Sequence, residues 1–149
     1  MNINKLTNKK RLKVTSTGWG SEIEIHNGDG YCGRILNLKE DEKSSLHYHI
    51  NKKETFYVLS GRILMDMSFD LHSESVILSE GDAIDIHRFV MNRFKGITDA
   101  VVLEVSTYDA GEEDIVRVEE GATQCKKLWK CEEEEFIKWE NKVKRILGK

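Results

Sequence analysis

The residues best placed to do chemistry lie between Ser45 and Glu54. His47 and His49 are two apart, so on a β-strand both imidazoles face one side while Leu46, Tyr48 and Ile50 face the other. A short polar turn then brings back a strand that starts with Glu54. A carboxylate entering there can close on the same point as the two imidazoles. Two His and one Glu from adjacent strands make a usable site for one divalent metal ion, with Zn, Mn, Fe and Ni all acceptable. A histidine pair of this spacing also occurs as surface or hydrogen-bonded imidazoles without metal.

Other chemistry is thinner. Glu104 sits in an apolar run, and Asp85 lies between Ile84 and Ile86. Facing an interior, either carboxylate would have a raised pKa and could act as a base. Alternation can equally turn each to water, which is the simpler expectation. No Cys–His spacing supports nucleophilic catalysis, and no glycine-rich phosphate loop is present.

The elements that must hold these groups are strands. From about Trp19 to Val118, short β-branched and aromatic runs are punctuated by Gly, Asp, Ser and Asn, the pattern of a sandwich or barrel. Examples are Thr55-Phe56-Tyr57-Val58-Leu59 and Ala100-Val101-Val102-Leu103-Glu104-Val105. Asn27-Gly28-Asp29-Gly30 supplies a turn. The class is all-β. From Cys131 to Leu147 the period changes: Phe136, Trp139, Val143 and Ile146 recur at helical steps, with acids early and bases late. This predicts a C-terminal amphipathic α-helix, laid on its own barrel or clasping a partner. The chain divides into a basic arm or edge strand (1–16), a β-barrel (17–121) and the helical tail (122–149).

At 149 residues and 39% hydrophobic, the chain can fill one core without disulfides. Its three cysteines are odd in number and lack CxxC spacing, which fits reduced thiols in a cytoplasmic protein. The basic start is followed by no apolar stretch, so no signal peptide is expected, and no run is long enough to span a bilayer. Residues 17–121 carry ten basic and twenty-one acidic side chains, a net −11. Such a body repels phosphate backbones, so neither nucleic acid nor membrane is an expected partner. It suits a cation, or a small ligand held by a few local Arg and Lys. No proline occurs, against an average near 5%.

The spacing around the histidines extends further: Gly61 lies seven residues after Glu54, and Gly81-Asp82 twenty after that. This resembles cupin motif 1, and Gly81-Asp82-Ala83-Ile84-Asp85-Ile86 resembles the opening of motif 2. Four further segments are similar, in order, to those of the cupin domain of type II mannose-6-phosphate isomerases. They are Gly18-Trp19-Gly20-Ser21-Glu22-Ile23, Gly28-Asp29-Gly30-Tyr31, Ser45-Leu46-His47-Tyr48-His49 and Gly111-Glu112-Glu113-Asp114-Ile115-Val116-Arg117. The resemblance implies a jelly-roll β-barrel, a divalent metal, and aldose–ketose isomerisation of a phosphosugar.

Under that resemblance His49 and Glu54 fall on ligand positions, and His47 falls where the family has Gln or His. The fourth ligand, a histidine in the family, falls on Asn92. Pro and Gly of the same segment fall on His87 and Phe89, leaving an apolar, proline-free loop from His87 to Asn92, and the opening Gly of motif 1 is Asp41. The site is then His2Glu with Asn92 or water, or takes in His87, or has lost its metal. Arg93 matches the residue after the missing histidine and is a substrate-binding candidate. Arg117 is the catalytic candidate, stabilising an enediolate or holding phosphate, with an ion pair to Glu112, Glu113 or Asp114 as the plain alternative. Lys52 stands where the family often has Arg, as a phosphate contact or an ordinary turn residue.

The function implied is a metal-dependent sugar or sugar-phosphate isomerase or epimerase with a small carbohydrate substrate. The alternatives are a non-haem metal dioxygenase and a carbohydrate-binding cupin without catalysis. A homodimer is the expected assembly, through an exposed edge bearing Tyr57 and Leu59 together with the tail helix.

Overall fold

The computed structural model describes residues 7–119. The helix expected over 131–147, Cys125 and Cys131 lie outside the described residues. Eleven antiparallel strands, among the described residues, form two sheets. One holds six strands in the order β1 (Val14–Thr17), β2 (Gly20–Gly28), β3 (Tyr31–Leu38), β10 (Ala100–Thr107), β5 (Glu54–Ser60) and β8 (Ala83–Ile86). The other runs β11 (Ile115–Glu119), β4 (Leu46–His49), β9 (Met91–Gly96), β6 (Arg62–Phe69) and β7 (His72–Ser79). This is a jelly roll, the barrel that the resemblance implies. No helix among the described residues is long and apolar enough to cross a membrane.

Alternation along each strand decides what enters the barrel. On β5, Glu54, Phe56 and Val58 are buried while Tyr57 and Leu59 are exposed. On β10, Ala100, Val102, Glu104 and Ser106 are buried. The interior is therefore layered along the strands. Phe56, Val58, Ile63, Met65, Phe94 and Val102 fill the apolar end, where Trp19 meets Phe94 edge-on with ring centroids 5.2 Å apart. Polar side chains from the same strands occupy the other end.

Turns follow the residues that permit them. Asp29 and Gly30 both have positive φ, closing the β2–β3 hairpin as a mirror-image turn. Gly61 joins β5 to β6 at φ 79°, and a Cβ there would stand 2.2 Å from the Asp99 carbonyl oxygen. Gly61→Ala is expected to cost about 1–3 kcal/mol, read as a lower urea midpoint with an unchanged slope.

One reading changes. The segment ending at Asn92 is not all loop, because Met91–Gly96 forms β9 in the middle of the second sheet. It pairs with β4 on one side and β6 on the other, with Asn92 opposite both His47 and Met67. These are contacts distant in sequence, which the local pattern does not carry.

Candidate metal centre

His47 and His49 both face the interior from β4, with ring centroids 5.3 Å apart and planes near perpendicular at 85°. Glu54 opens β5 nearby, and ligand atoms of the three residues lie within 4.8 Å of one another. Neighbouring groups fix the imidazoles. His47 Nδ1 donates to the Ser45 carbonyl oxygen at 2.9 Å, and His49 Nδ1 donates to Asp114 Oδ2 at 3.2 Å. A carbonyl and a carboxylate only accept, so each Nδ1 carries the proton and each Nε2 presents a lone pair. Desolvation inside the barrel, then the neighbouring His49, pulls His47 down to about 4. Desolvation followed by Lys52 lowers His49 as well. Both rings are neutral at neutral pH, the form that binds metal.

Glu54 completes the fit. Its Oε1 is buried without a hydrogen-bond partner among the described residues and lies 3.8 Å from His49 Nε2. An orphaned buried carboxylate oxygen facing an imidazole lone pair is costly unless a cation joins them. The donor set of two imidazoles and one carboxylate fits a divalent transition-metal ion.

Asp114 is the keystone under His49. Besides the imidazole it accepts the backbone N–H groups of Asn51 at 2.7 Å and Lys52 at 3.1 Å. It stands just before β11, which pairs Ile115 with His49 and Arg117 with His47. Asp114→Asn is expected to weaken metal affinity about 10–100-fold while the fold persists. Competition with a metal-binding dye measures it.

Lys52 is no ordinary turn residue: it is 3% exposed. Its Nζ lies 2.6 Å from Glu104 Oε1, 2.8 Å from Glu54 Oε2 and 3.0 Å from Asp109 Oδ2. Burial alone would lower the ammonium pKa, but Glu104, Glu54 and Asp109 hold it well above its ordinary value. Burial would likewise raise Asp109, yet Lys52, the Gly111 amide and Arg34 hold it far below the carboxylate range. Glu104, expected to face water, points inward and is 5% exposed, and burial raises its pKa. Asp85 is the exposed one, accepting from Thr55 Oγ1 at 2.6 Å.

A cavity of about 260 Å³ joins these groups, walled by His47, His49, Lys52 and Glu54 on one side. Glu22, Arg34, Glu104, Asp109, Glu112 and Arg117 add to its polar lining, and Trp19 and Phe94 border it from the apolar layer. Arg117 faces it from β11 and is bridged to Glu112, one contact being Nη2 to Oε1 at 2.7 Å. Asn92 belongs to the inward row of β9, is 1% exposed, and donates from Nδ2 to the Val90 carbonyl oxygen at 3.2 Å. Arg93 points the other way, its Nε 3.2 Å from Asp66 Oδ2 on the outer surface of the sheet. His87 is exposed and does not line the cavity. Phe89 takes the left-handed conformation, φ 66°, that a glycine would adopt freely, and its amide donates to the His49 carbonyl oxygen at 2.8 Å.

Sequence reasoning passed over Arg34, Asp109 and Asp114 as site residues. Only Asp114 had a signal, its place in the Gly111–Arg117 segment.

Comparison with known proteins adds the lineage. Among the solved structures that share the fold are the following. The capsular polysaccharide assembling protein CapF from Staphylococcus aureus matches with TM-score 0.64 and 20% identity, over 72% of this chain and 34% of that one. Oxalate decarboxylase from Bacillus subtilis matches with TM-score 0.63 and 14% identity, over 72% and 30%. KdgF from Halomonas sp. matches with TM-score 0.55 and 15% identity, over 62% and 82%. The chain thus spans about a third of the length of CapF. No curated protein matches. The model of the family described as mannose-6-phosphate isomerase C-terminal matches residues 4–120. Most of the chain lies within that match, and the chain belongs to this cupin family.

Proposed function

We propose that the chain is a metal-dependent isomerase or epimerase of a sugar or sugar phosphate. The observation carrying this reading is that two neutral imidazoles and an orphaned carboxylate oxygen converge on a small polar cavity that also holds acid–base groups. A divalent cation, when bound by His47, His49 and Glu54, supplies polarisation of a sugar carbonyl or hydroxyl. The chain's own residues supply the rest. Burial raises the Glu22 carboxyl above its ordinary value, with Arg34 opposing, which suits a group that takes a proton from carbon and returns it. Lys52 holds Glu54 and Glu104 in place through its ion pairs. Arg117 at the wall offers a planar fork to a phosphate or a developing oxyanion. The family's name, with its sugar-phosphate isomerase, supports the same substrate class.

One observation favours a second reading. With an amide at Asn92 in place of a fourth imidazole, the donor set is a carboxylate and two histidines, the arrangement of non-haem oxygenases. Incubation with aldoses and aldose phosphates in deuterated water, after loading with Mn, Fe, Ni or Zn, tests both. Metal-dependent deuterium at the carbon next to the carbonyl is the expected result. Iron-dependent oxygen uptake without deuterium exchange selects the oxygenase. Sugar binding indifferent to chelator, with no turnover, leaves a binding protein and overturns both enzymes.

A further inference from the structure

Among the described residues, every cation lining the cavity is already engaged by a carboxylate. Arg34 is bridged to Asp109 and, through Nη2, to Glu24 Oε2 at 3.1 Å. Lys52 is ringed by Glu54, Glu104 and Asp109, and Arg117 is bridged to Glu112. What remains is acidic. Glu22 reaches the same cavity, half-buried, and makes no hydrogen bond or ion pair among the described residues. The lining carries five acids, Glu22, Glu54, Glu104, Asp109 and Glu112, against these three bases. That is a net −2, which one divalent cation at His47, His49 and Glu54 brings to zero. Nothing is left over to neutralise a phosphate ester, which adds about −1.5 to −2 at neutral pH. Walls of low dielectric magnify the repulsion it would meet.

We propose that the site takes a neutral sugar without phosphate, one unit in size, whose hydroxyls donate to Glu22 and accept from Arg34 Nε. The proposal deepens the isomerase reading above and rests on it for the class of ligand, a small sugar. Hydrogen-bond chemistry agrees. A carboxylate only accepts, so Glu22 calls for a donor. Arg34 Nε is a buried donor with no partner among the described residues, and calls for an acceptor. A sugar hydroxyl is both at once, whereas an ionised phosphate offers acceptor oxygens alone. Size agrees as well: about 260 Å³ lies below the roughly 300–1,000 Å³ of sites for drug-sized ligands. Trp19 and Phe94 border the cavity with apolar surface for the sugar's carbon skeleton. Of the two roles open to Arg117, a developing oxyanion is then the one left.

Calorimetric titration of the full chain at pH 8 tests this, with aldohexoses and aldopentoses each set beside its own phosphate ester. The protein is loaded with zinc, or held in chelator if it retains none. A free sugar is expected to bind tighter than its phosphate by about tenfold or more. Glu22→Gln keeps an acceptor oxygen and sheds the charge, so it is expected to narrow that gap by about threefold or more. A phosphate that binds as tightly as its sugar overturns the proposal, as does a panel in which no sugar binds. So does a gap that Glu22→Gln leaves unchanged. Deuterium exchange keeps the two readings apart. Free sugars preferred in binding yet left unexchanged remove the isomerase and uphold the specificity, whereas exchange in the phosphates alone upholds the isomerase and overturns the specificity.

Discussion

Replacing His49 with alanine is expected to leave a folded barrel that no longer retains a divalent cation. His49 Nε2 faces Glu54 Oε1 at 3.8 Å, and Asp114 fixes the ring from behind. Its loss removes one of the three ligands itself, so affinity should fall by more than the ~100-fold of a supporting residue. Metal at a hundredfold excess over its dissociation constant stabilises the parent by about 2.7 kcal/mol. The variant should show none of that gain. Mass spectrometry of metal content after loading, beside melting curves with and without chelator, reads both effects. Equal metal in parent and variant, or none in the parent with any of Mn, Fe, Ni or Zn, removes the metal centre described above.

Lys52→Met should be the most damaging single change inside the cavity. It leaves Glu54, Glu104 and Asp109 buried around a vanished cation, with Arg34 alone to answer them. Removing one partner of a buried ionic cluster typically costs about 3–5 kcal/mol. The pH dependence has a definite sign. In the parent, Asp109 is held below its unfolded value, so its contribution is present above the ordinary carboxylate pKa and is lost as pH falls through that range. In the variant, burial of Glu104 loses its main opponent, so the folded pKa stands further above the unfolded one. Such a group favours the fold at low pH and disfavours it as pH rises. The gap between parent and variant in chelator should therefore be wider at pH 8 than at pH 5. Urea midpoints at both pH values would settle it, and a gap below about 1 kcal/mol, far under the cost of a stranded buried charge, would mean the cluster is not what the geometry makes it.

The parts of this site that were legible in the sequence are those governed by neighbours along the chain. Two histidines two apart share a face of any strand, and Glu54 begins the next one. Asn27-Gly28-Asp29-Gly30 could be read as a turn because positive φ at Asp29 and Gly30 is a local demand. Glu104 could not be assigned a side, because the run Ala100–Val105 is apolar on both faces and alternation there has no visible phase. Lys52 looked like a solvated turn residue because the groups that bury it, Glu104 and Asp109, come from 52 and 57 positions later. Arg34 and Asp109 are 75 apart and meet only through the barrel's closure. Asn92 was placed in a loop because its strand exists by virtue of neighbours on both sides.

Phe89 has a consequence for motion. A bulky side chain in the left-handed region costs about 1–2 kcal/mol, and burying the ring against Tyr48, Ile50 and Phe69 returns about 1.5–3 kcal/mol. The two nearly cancel. The segment that leads into β9 is thus a latch under slight tension, closed by a ring rather than by a relaxed backbone. When the ring leaves its seat, the backbone can fall back to the right-handed region and the bond from the Phe89 amide to the His49 carbonyl parts. The Phe89 amide is therefore expected to exchange with solvent before those of β5 and β10, so that the barrel breathes first beside its histidines.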